Sequence, residues 1–339
     1  MAEDAVVATS APVPPTPAPS PVVPSAPAAP RPGLVERLGR RLEHPAVLPG
    51  VLIAGIVFVI AIVLPATRND RLVAYDAHAY YQAAALQDPY RATIQGGFDA
   101  VGGLYEYKYP PPLAQALAPF HAILTWPQFL AIWAALLYAV FVVMGGRWAL
   151  LLLVFPPLLG ELWLANINLW IAAAVWIGFR WPAAWAFVIL TKITPGIGLL
   201  WFAVRREWRS LAIAIGATAA ITAVSFVLAP NLWRDFIEAS RTQVAATVDV
   251  PRQAAPLSLP VRMVAAALII VAGALTDRRW LVPVAVALTV PFLWWNVLAI
   301  LIVCIPLARE DGRRRRERAA AALGRVPAHP LATTSPSAG

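Results

Sequence analysis

The sequence predicts an all-α polytopic membrane protein with about ten transmembrane helices, within a range of about eight to twelve. Of its 339 residues, 60% are hydrophobic and 13% are charged, and the mean hydropathy is +0.66. Soluble domains carry about 25% charged residues, so a soluble fold is excluded. Apolar runs of about 20 residues, the length that crosses a bilayer, recur along the chain. Arginines gather beside these runs, which is typical of the cytoplasmic ends of membrane helices.

The charge and cysteine content exclude further classes of protein. Lys and Arg total 27 against 18 Asp and Glu, a net charge of +9, and Lys occurs only at Lys108 and Lys192. Because the arginines adjoin apolar segments, they indicate membrane anchoring and contact with anionic lipid rather than nucleic-acid binding. The single cysteine, Cys304, excludes a disulfide within one chain.

Two low-complexity tails flank the apolar region. Residues 1–46 are rich in Ala and Pro and lack aromatic residues, so we predict a disordered cytoplasmic tail rather than a secretory signal. Residues 309–339 are rich first in Arg and then in Ala, Pro, Ser and Thr, and we predict a second disordered cytoplasmic tail there. Residues 47–308 between them are predicted to form the transmembrane domain.

The segments between the tails are apolar enough to cross a bilayer at 1.5 Å per residue. Those on either side of Pro127 and Pro291 are the weakest candidates, and they are short enough for re-entrant loops to be an alternative. The predicted spans are about 47–65, 111–125, 127–145, 147–164, 167–180, 182–204, 208–229, 257–275, 280–291 and 292–308.

If both tails are cytoplasmic, as predicted, the number of spans is even, and ten spans meet this condition. The same count puts the arginines of two short turns, Arg205–Arg209 and Arg278–Arg279, on the cytoplasmic side, as the positive-inside rule requires. Two polar stretches, about 66–110 and 230–256, then lie outside, and their acidic and basic residues roughly balance. We therefore predict a multi-pass protein of the plasma membrane with its functional site on the extracytoplasmic face.

The first outer stretch is long and rich in tyrosine, which indicates a packed or interfacial loop with a function. From Asp76 to Gln87 the spacing is helical, with Tyr80 and Ala83 on one face. Such a helix could lie flat on the membrane surface. Asp76 falls in its first turn, where it is either a helix-capping acid or a general base just outside the bilayer. The two roles are compatible.

Further polar residues interrupt the apolar segments. A lysine such as Lys192 costs about 2.5–3.5 kcal/mol at the bilayer centre, so we expect it to face a cavity or a partner. An ion pair with Glu161 is the structural alternative. Asn166 and Asn168 lie near a span boundary, where helix–helix hydrogen bonds and substrate contacts explain them equally well. The run Tyr107–Pro112 is either a stiff entry to the second span or part of a binding site.

Short motifs follow one another in a fixed order over about residues 60–310. They are Asp76, Tyr80-Tyr81, Asp88-Pro89-Tyr90, Tyr107-x-Tyr109-Pro110-Pro111, Pro119, Asn166-Ile167-Asn168, Lys192-x-x-Pro195, Arg205-Arg206, Trp208, Gln253, Ser258, Arg262 and Pro291 to Asn296. Their order and spacing resemble glycosyltransferase family 87, whose best-known members are polyprenol-phosphate-mannose-dependent α-mannosyltransferases of the GT-C superfamily. The chain departs from the family pattern at Asn166, where Gln is usual, and at Leu293 and Asn296, where Ser and His are usual.

The resemblance implies a GT-C-like fold over residues 47–308 and inverting transfer of a hexose, with mannose expected, from a polyprenyl phosphate-linked donor. The acceptor is expected to be a lipid or glycan of the cell envelope. Asp76 is the expected general base. No metal or other cofactor is expected, because the polyprenyl phosphate leaves as a stable anion. The residues expected to bind the donor phosphate are Lys192, Arg262 and Arg252, and those expected at the sugar or acceptor are His78, Tyr80, Tyr107, Tyr109, Asn166, Asn168 and Trp294.

Two other functions remain compatible with these residues. A transporter or flippase of a lipid-linked sugar would use Lys192 and the intramembrane asparagines as its pathway, although it leaves the long outer loop unexplained. A non-catalytic partner in envelope synthesis is suggested by the departures at Leu293 and Asn296. Asp76 separates an enzyme from a transporter, because it is essential in the first and dispensable in the second.

Overall fold

The computed structural model of the chain describes residues 47–68, 72–95, 105–246 and 257–323. Within these ranges the chain is helical and contains no β-strand. The α-helices are α1 (Val47–Thr67), α2 (Tyr75–Ala83), α3 (Arg91–Gln95), α4 (Pro111–Ile123), α5 (Trp126–Gly145), α6 (Ala149–Leu152), α7 (Pro156–Leu164), α8 (Asn168–Gly178), α9 (Trp185–Thr191), α10 (Leu200–Val204), α11 (Trp208–Leu228), α12 (Pro230–Ala246), α13 (Leu259–Leu275), α14 (Leu281–Leu288) and α15 (Cys304–Leu323). Four 3₁₀ segments link them at Gly146–Trp148, Pro182–Ala184, Thr194–Leu199 and Trp295–Val303.

Three of the described helices are long and apolar enough to cross a membrane. They are α1, the continuous stretch Trp126–Leu152 that contains α5 and α6, and α11. The pair α7 and α8 also qualifies if it is counted as one span, although the two helices are bent by 108° relative to each other. The all-helical membrane protein is thus confirmed, whereas ten spans are not, and that number stays a prediction.

The helices of the buried core surround the last apolar segment. The 3₁₀ segment Trp295–Val303 packs against α7, α8 and α14, and its residues Val297, Ile300 and Val303 are buried. By contrast α1 packs mainly on α5, where Gly55 lies so close to the Tyr138 ring that a Cβ would come within 2.7 Å of it. Most large side chains of α1 therefore face outward, as expected for a lipid-facing helix.

The helix predicted from Asp76 onward is present as α2, but it does not lie alone on a surface. Its residues Ala77, Tyr80 and Ala83 are buried, and it packs against α4, α5 and α7. The residue before it, Ala74, adopts a left-handed conformation with φ of 55°, and its backbone N–H donates to the Trp163 carbonyl at 2.9 Å. This bond fixes the start of α2 beside the end of α7.

The last helix continues into the segment that the sequence analysis assigned to a tail. Helix α15 extends to Leu323, because buried ion pairs hold its first half on the protein. Arg279 donates to Asp311 at 2.7 Å and to Glu310 at 3.0 Å, and Trp176 also donates to Glu310, at 2.7 Å. Tertiary contacts thus override the disorder that composition predicts from residue 309 onward. Residues 1–46 and 324–339, also predicted to be disordered, lie outside the described residues.

Replacing Asp311 by alanine is expected to lower the thermal stability of the protein. The pair is nearly inaccessible, with side-chain exposures of 6% for Arg279 and 2% for Asp311. Because the change leaves a buried guanidinium with only Glu310 as partner, we expect a loss of about 3 kcal/mol. Thermal unfolding in detergent measures the effect. The matched control is Glu317→Ala, which breaks the exposed pair with Arg313 and is expected to leave the midpoint unchanged.

Candidate functional site

The site is built on a sharp elbow between α7 and α8. Helix α7 ends because Ala165 takes a left-handed conformation with φ of 50°, and the Asn166 N–H then donates to the Glu161 carbonyl at 3.1 Å. The Trp133 indole N–H donates to the Ala165 carbonyl at 2.8 Å, which fixes the turn from the side of α5. The elbow thereby carries two amide side chains: Asn166 contacts α2, and Asn168 contacts Glu161 and Lys192.

Asp76 meets this elbow from the first turn of α2. The Asn166 Nδ2 atom donates to Asp76 Oδ2 at 2.6 Å, and Asn166 Oδ1 accepts the Ile167 backbone N–H at 2.6 Å. The backbone bond fixes which end of the Asn166 amide faces Asp76. The carboxylate is therefore held in one orientation by a donor whose own orientation is fixed.

The electrostatic surroundings of Asp76 make it a stronger base than an ordinary aspartate. Burial raises the pKa of Asp76, and the Asn166 hydrogen bond and the charges of Lys192 and Lys108 lower it in part. The only two lysines of the chain thus both act on this carboxyl group. A carboxylate with a raised pKa that also feels the charges of two ammonium groups is suited to accept a proton from a substrate hydroxyl.

A second polar cluster adjoins the first through Asn168. Lys192, which ends α9, donates from Nζ to Asn168 Oδ1 at 2.7 Å. Asn168 Nδ2 in turn donates to Glu161 Oε2 at 2.8 Å, and Asn296 Nδ2 donates to the same oxygen at 3.0 Å. Lys192 and Glu161 are thus connected through the Asn168 amide rather than by a direct ion pair, which was the alternative that the sequence left open.

The tyrosines form a buried hydrogen-bonded layer behind Asp76. The hydroxyls of Tyr80 and Tyr109 lie 3.0 Å apart, and burial raises the pKa of both phenols well above 10, with Asp76 contributing. Tyr90 donates to the Tyr109 carbonyl at 2.7 Å, and Tyr107 donates to the Pro110 carbonyl at 3.2 Å. Because Tyr107 is completely buried and bonded to backbone, the contacts it makes are structural.

His78 follows Asp76 by two residues in α2 and lies in an aromatic stack. Its ring lies 4.4 Å from that of Tyr105 and 4.1 Å from that of Trp126, with interplanar angles of 22° and 16°. Burial lowers the pKa of His78 to about 4, so its imidazole is neutral at neutral pH. The stack forms an aromatic wall beside α2, which is the kind of surface that contacts a sugar face.

Arg262 makes contacts different from those expected of it. Its guanidinium donates to four backbone carbonyls, those of Leu257, Leu288, Val290 and Pro291, at 2.8–3.1 Å. The carbonyls of Leu288, Val290 and Pro291 lie at and beyond the end of α14, where that helix supplies no further N–H donors, so the arginine compensates for the break. Arg262 is 2% exposed, and four of its five N–H groups are committed to backbone.

The remaining expected site residues are placed less centrally. Trp294 is 40% exposed just before the 3₁₀ segment that contains Asn296. Arg252 lies outside the described residues. The structure adds Lys108, which the sequence analysis did not select. This exposed lysine pairs with Glu106 and lies 5.5 Å from the centre of the Phe292 ring. Its rarity was the available signal, because only two lysines occur in the chain.

Within the described ranges, no group of three or more His, Cys, Asp or Glu side chains could hold a metal ion. The polar groups of the site are instead a carboxylate, two ammonium groups, amides and phenols. This set can accept a proton and stabilise an anion, and it can hold a polar ligand by hydrogen bonds.

Comparison with known proteins identifies the family. A model of glycosyltransferase family 87 matches residues 107–333, which is more than half of the chain. The match includes both lysines, the elbow and Arg262, and it begins after Asp76, whose assignment therefore depends on the geometry above. No curated protein and no solved structure matches the chain. The resemblance seen in the sequence is confirmed, and the chain belongs to glycosyltransferase family 87.

Proposed function

We propose that the protein transfers a hexose, expected to be mannose, from a polyprenyl phosphate-linked donor to a hydroxyl of a lipid or glycan acceptor. The observation that carries the proposal is the Asp76 carboxylate, fixed by Asn166 at 2.6 Å and influenced by both lysines of the chain. Asp76 accepts the proton of the acceptor hydroxyl, whose oxygen attacks the anomeric carbon. The bond from that carbon to the phosphate oxygen breaks, its electrons leave with the polyprenyl phosphate, and the configuration inverts.

The lysines suit the leaving group in this reaction. A polyprenyl phosphate gains negative charge as it departs, and ammonium groups stabilise such charge best where water is scarce. Lys192 follows α9 and is partly buried. Lys108 lies before α4 and is exposed beside Phe292, so the two ammonium groups come from different parts of the chain. Arg262 is better explained as a residue that positions the backbone at 288–291. We therefore assign the phosphate to Lys192 first and to Lys108 second, with Arg252 as a further cation.

The aromatic residues are proposed to contact the sugar or the acceptor. His78 stays neutral, and its ring faces are taken by Tyr105 and Trp126, so we propose that it offers a ring nitrogen to the ligand without adding charge. Trp294 is an exposed aromatic residue two positions before Asn296, which bonds to Glu161. Tyr80 and Tyr109 are buried near Asp76. Their phenols stay neutral and therefore add no second negative charge next to the carboxylate.

The distribution of arginines supports a site on the extracytoplasmic face with both tails in the cytoplasm. Helix α13 begins next to the site, where Arg262 bonds the backbone after α14. At the other end of α13, Asp277 pairs with Arg205 at 3.1 Å and also with Arg318 of α15. The site and the arginine cluster thus lie at opposite ends of one apolar helix, as the positive-inside rule predicts for an outward-facing site.

The rival functions are a flippase of lipid-linked sugars and an inactive partner in envelope synthesis, and the family assignment favours neither. One experiment separates them from the enzyme. Membranes carrying wild-type or Asp76→Asn protein are given synthetic polyprenyl phosphate-mannose with a labelled sugar, in the presence of EDTA. We expect label to enter envelope lipids with wild type alone. Transfer that is equal in both membranes removes Asp76 from the mechanism, and absence of transfer from several donors favours the rivals.

The pH profile provides an independent test of the base. Asp76 works only when deprotonated, and its folded-state pKa is raised, so activity is expected to fall as pH decreases through that raised pKa. The acid limb of kcat/KM should therefore lie above the ordinary aspartate pKa of about 3.9. His78, whose pKa is about 4, also titrates in this range. His78→Phe keeps the aromatic stack and is expected to leave the limb in place, whereas a shifted limb assigns it to the histidine.

A further inference from the structure

Glu161 is a buried carboxylate to which the proposed chemistry gives no task. It lies in α7 with an exposure of 0%. Three N–H groups donate to it, namely Asn168 Nδ2 at 2.8 Å, Asn296 Nδ2 at 3.0 Å and the Leu169 backbone N–H at 3.2 Å. Burying a carboxylate costs several kcal/mol unless hydrogen bonds and a nearby cation compensate. Because burial of this charge is costly, we expect Glu161 to have a role that offsets the cost.

The hydrogen bonds of Glu161 determine the orientation of one amide. An ionised carboxylate only accepts hydrogen bonds, so the Asn168 amide must turn its NH₂ group toward Glu161. Its carbonyl oxygen then faces the opposite way and accepts the hydrogen bond from Lys192 Nζ at 2.7 Å. If the amide were flipped, its NH₂ group would face an ammonium and the bond would be lost.

The charges around Lys192 lead to the same conclusion. Glu161 and Asp76 are the two carboxylates that act on its ammonium group, and they lie on different helices. Asn296 joins Glu161 from the 3₁₀ segment Trp295–Val303, so three separate parts of the chain hold this cluster together. The ammonium is thereby held between a carboxylate assigned to the chemistry and one that is shielded from substrate.

We propose, on the basis of the function proposed above, that Glu161 is a positioning residue for Lys192. It acts through the Asn168 amide to hold the ammonium group where the donor phosphate binds. Glu161 itself touches no substrate. Asn296 is the second donor that keeps the carboxylate in place.

The first test measures Lys192 directly and does not depend on activity. Because the chain contains two lysines, an amine-acylating reagent followed by mass spectrometry reports each of them separately in the intact protein. Glu161→Gln removes the negative charge. The NH₂ group of the new glutamine can donate to the Asn168 oxygen, so the Asn168 amide is free to flip. We expect Lys192 to be acylated about tenfold faster, the change that corresponds to losing one charge-assisted hydrogen bond. The labelling rate of Lys108 should not change.

The matched control is expected to change the labelling of Lys108 and not that of Lys192. Glu106→Gln removes the carboxylate that pairs with Lys108 and is expected to raise the labelling of Lys108 alone. If Glu161→Gln fails to fold, Asn168→Ala removes the bridging amide while leaving the carboxylate, and it should also raise Lys192 labelling. Unchanged labelling of Lys192 in the folded variants overturns the proposal.

The second test asks whether Glu161 acts only through Lys192. In the wild-type background, Glu161→Gln is expected to raise the donor KM about tenfold while kcat changes less. In a Lys192→Met background the same change should have no effect on donor KM, because the residue it positions is absent. An equal effect in both backgrounds identifies a merely structural carboxylate and overturns the proposal. If the labelling changes as expected but wild type transfers no sugar from any prenyl phosphate donor, the proposed function fails and the contact between Glu161 and Lys192 stands.

Discussion

Replacing Asp76 by asparagine is expected to reduce sugar transfer by about 10³-fold, within the range that a general base contributes. Asparagine has nearly the same shape, and its carbonyl oxygen can still accept the hydrogen bond from Asn166 that the carboxylate accepts at 2.6 Å. The variant therefore loses proton acceptance while residue 76 keeps its contact with Asn166 of the elbow. The measurement is initial-rate transfer from a synthetic polyprenyl phosphate-sugar by the purified protein.

Asp88→Asn is the matched control for this change. Asp88 lies in the turn between α2 and α3, is exposed, and has a φ of 46° that asparagine tolerates. We expect wild-type activity and an unchanged thermal midpoint. If the two variants lose activity equally, the loss reflects the outer segment as a whole, and the assignment of Asp76 as the base does not survive.

The carboxylate was predictable from the sequence, whereas its partner was not. Asp76 is the acid in the first turn of a helix with a clear apolar face, and that helix is present as α2. Asn166 lies 90 positions further along the chain, and no local pattern links the two residues. Their contact exists because Ala165 adopts a left-handed conformation and turns the chain by 108° between two apolar helices. A hydropathy profile shows α7 and α8 only as apolar segments. It does not reveal the bend between them.

Arg262 shows a second limit of the sequence. An arginine at the outer end of an apolar segment is consistent with binding a phosphate, but it is equally consistent with binding backbone carbonyls. The structure uses it for the carbonyls of residues 288, 290 and 291, which are left without helical partners where α14 ends. Pro291 marks a break in the sequence, but no local pattern shows that a side chain of α13 reaches the carbonyls beside it, so the sequence alone could not choose between the two roles. The sequence shows that a positive charge lies at this position, but it does not show which groups the charge binds.

Replacing Lys192 by methionine is expected to reduce kcat/KM for the donor by about 10²–10³-fold, the loss typical of removing one group that stabilises a developing anion. Methionine keeps much of the apolar length of the side chain but removes the ammonium group that Asn168 holds at 2.7 Å. The affinity for a polyprenyl phosphate should fall, while the affinity for the uncharged polyprenol should not change. Binding of both lipids to the purified variant measures the difference.

Lys108→Met completes the comparison between the two lysines. Lys108 is exposed and already paired with Glu106, so solvent and that carboxylate screen its effect on a phosphate. We expect its loss to weaken binding of the polyprenyl phosphate less than the loss of Lys192 does. Equal losses would mean that the phosphate lies midway between the two ammonium groups. A larger loss for Lys108 would place the leaving group at the Phe292 side of the site, away from Asn168, and the assignment of Lys192 would have to be given up. The order of the two effects therefore locates the scissile bond relative to Asp76.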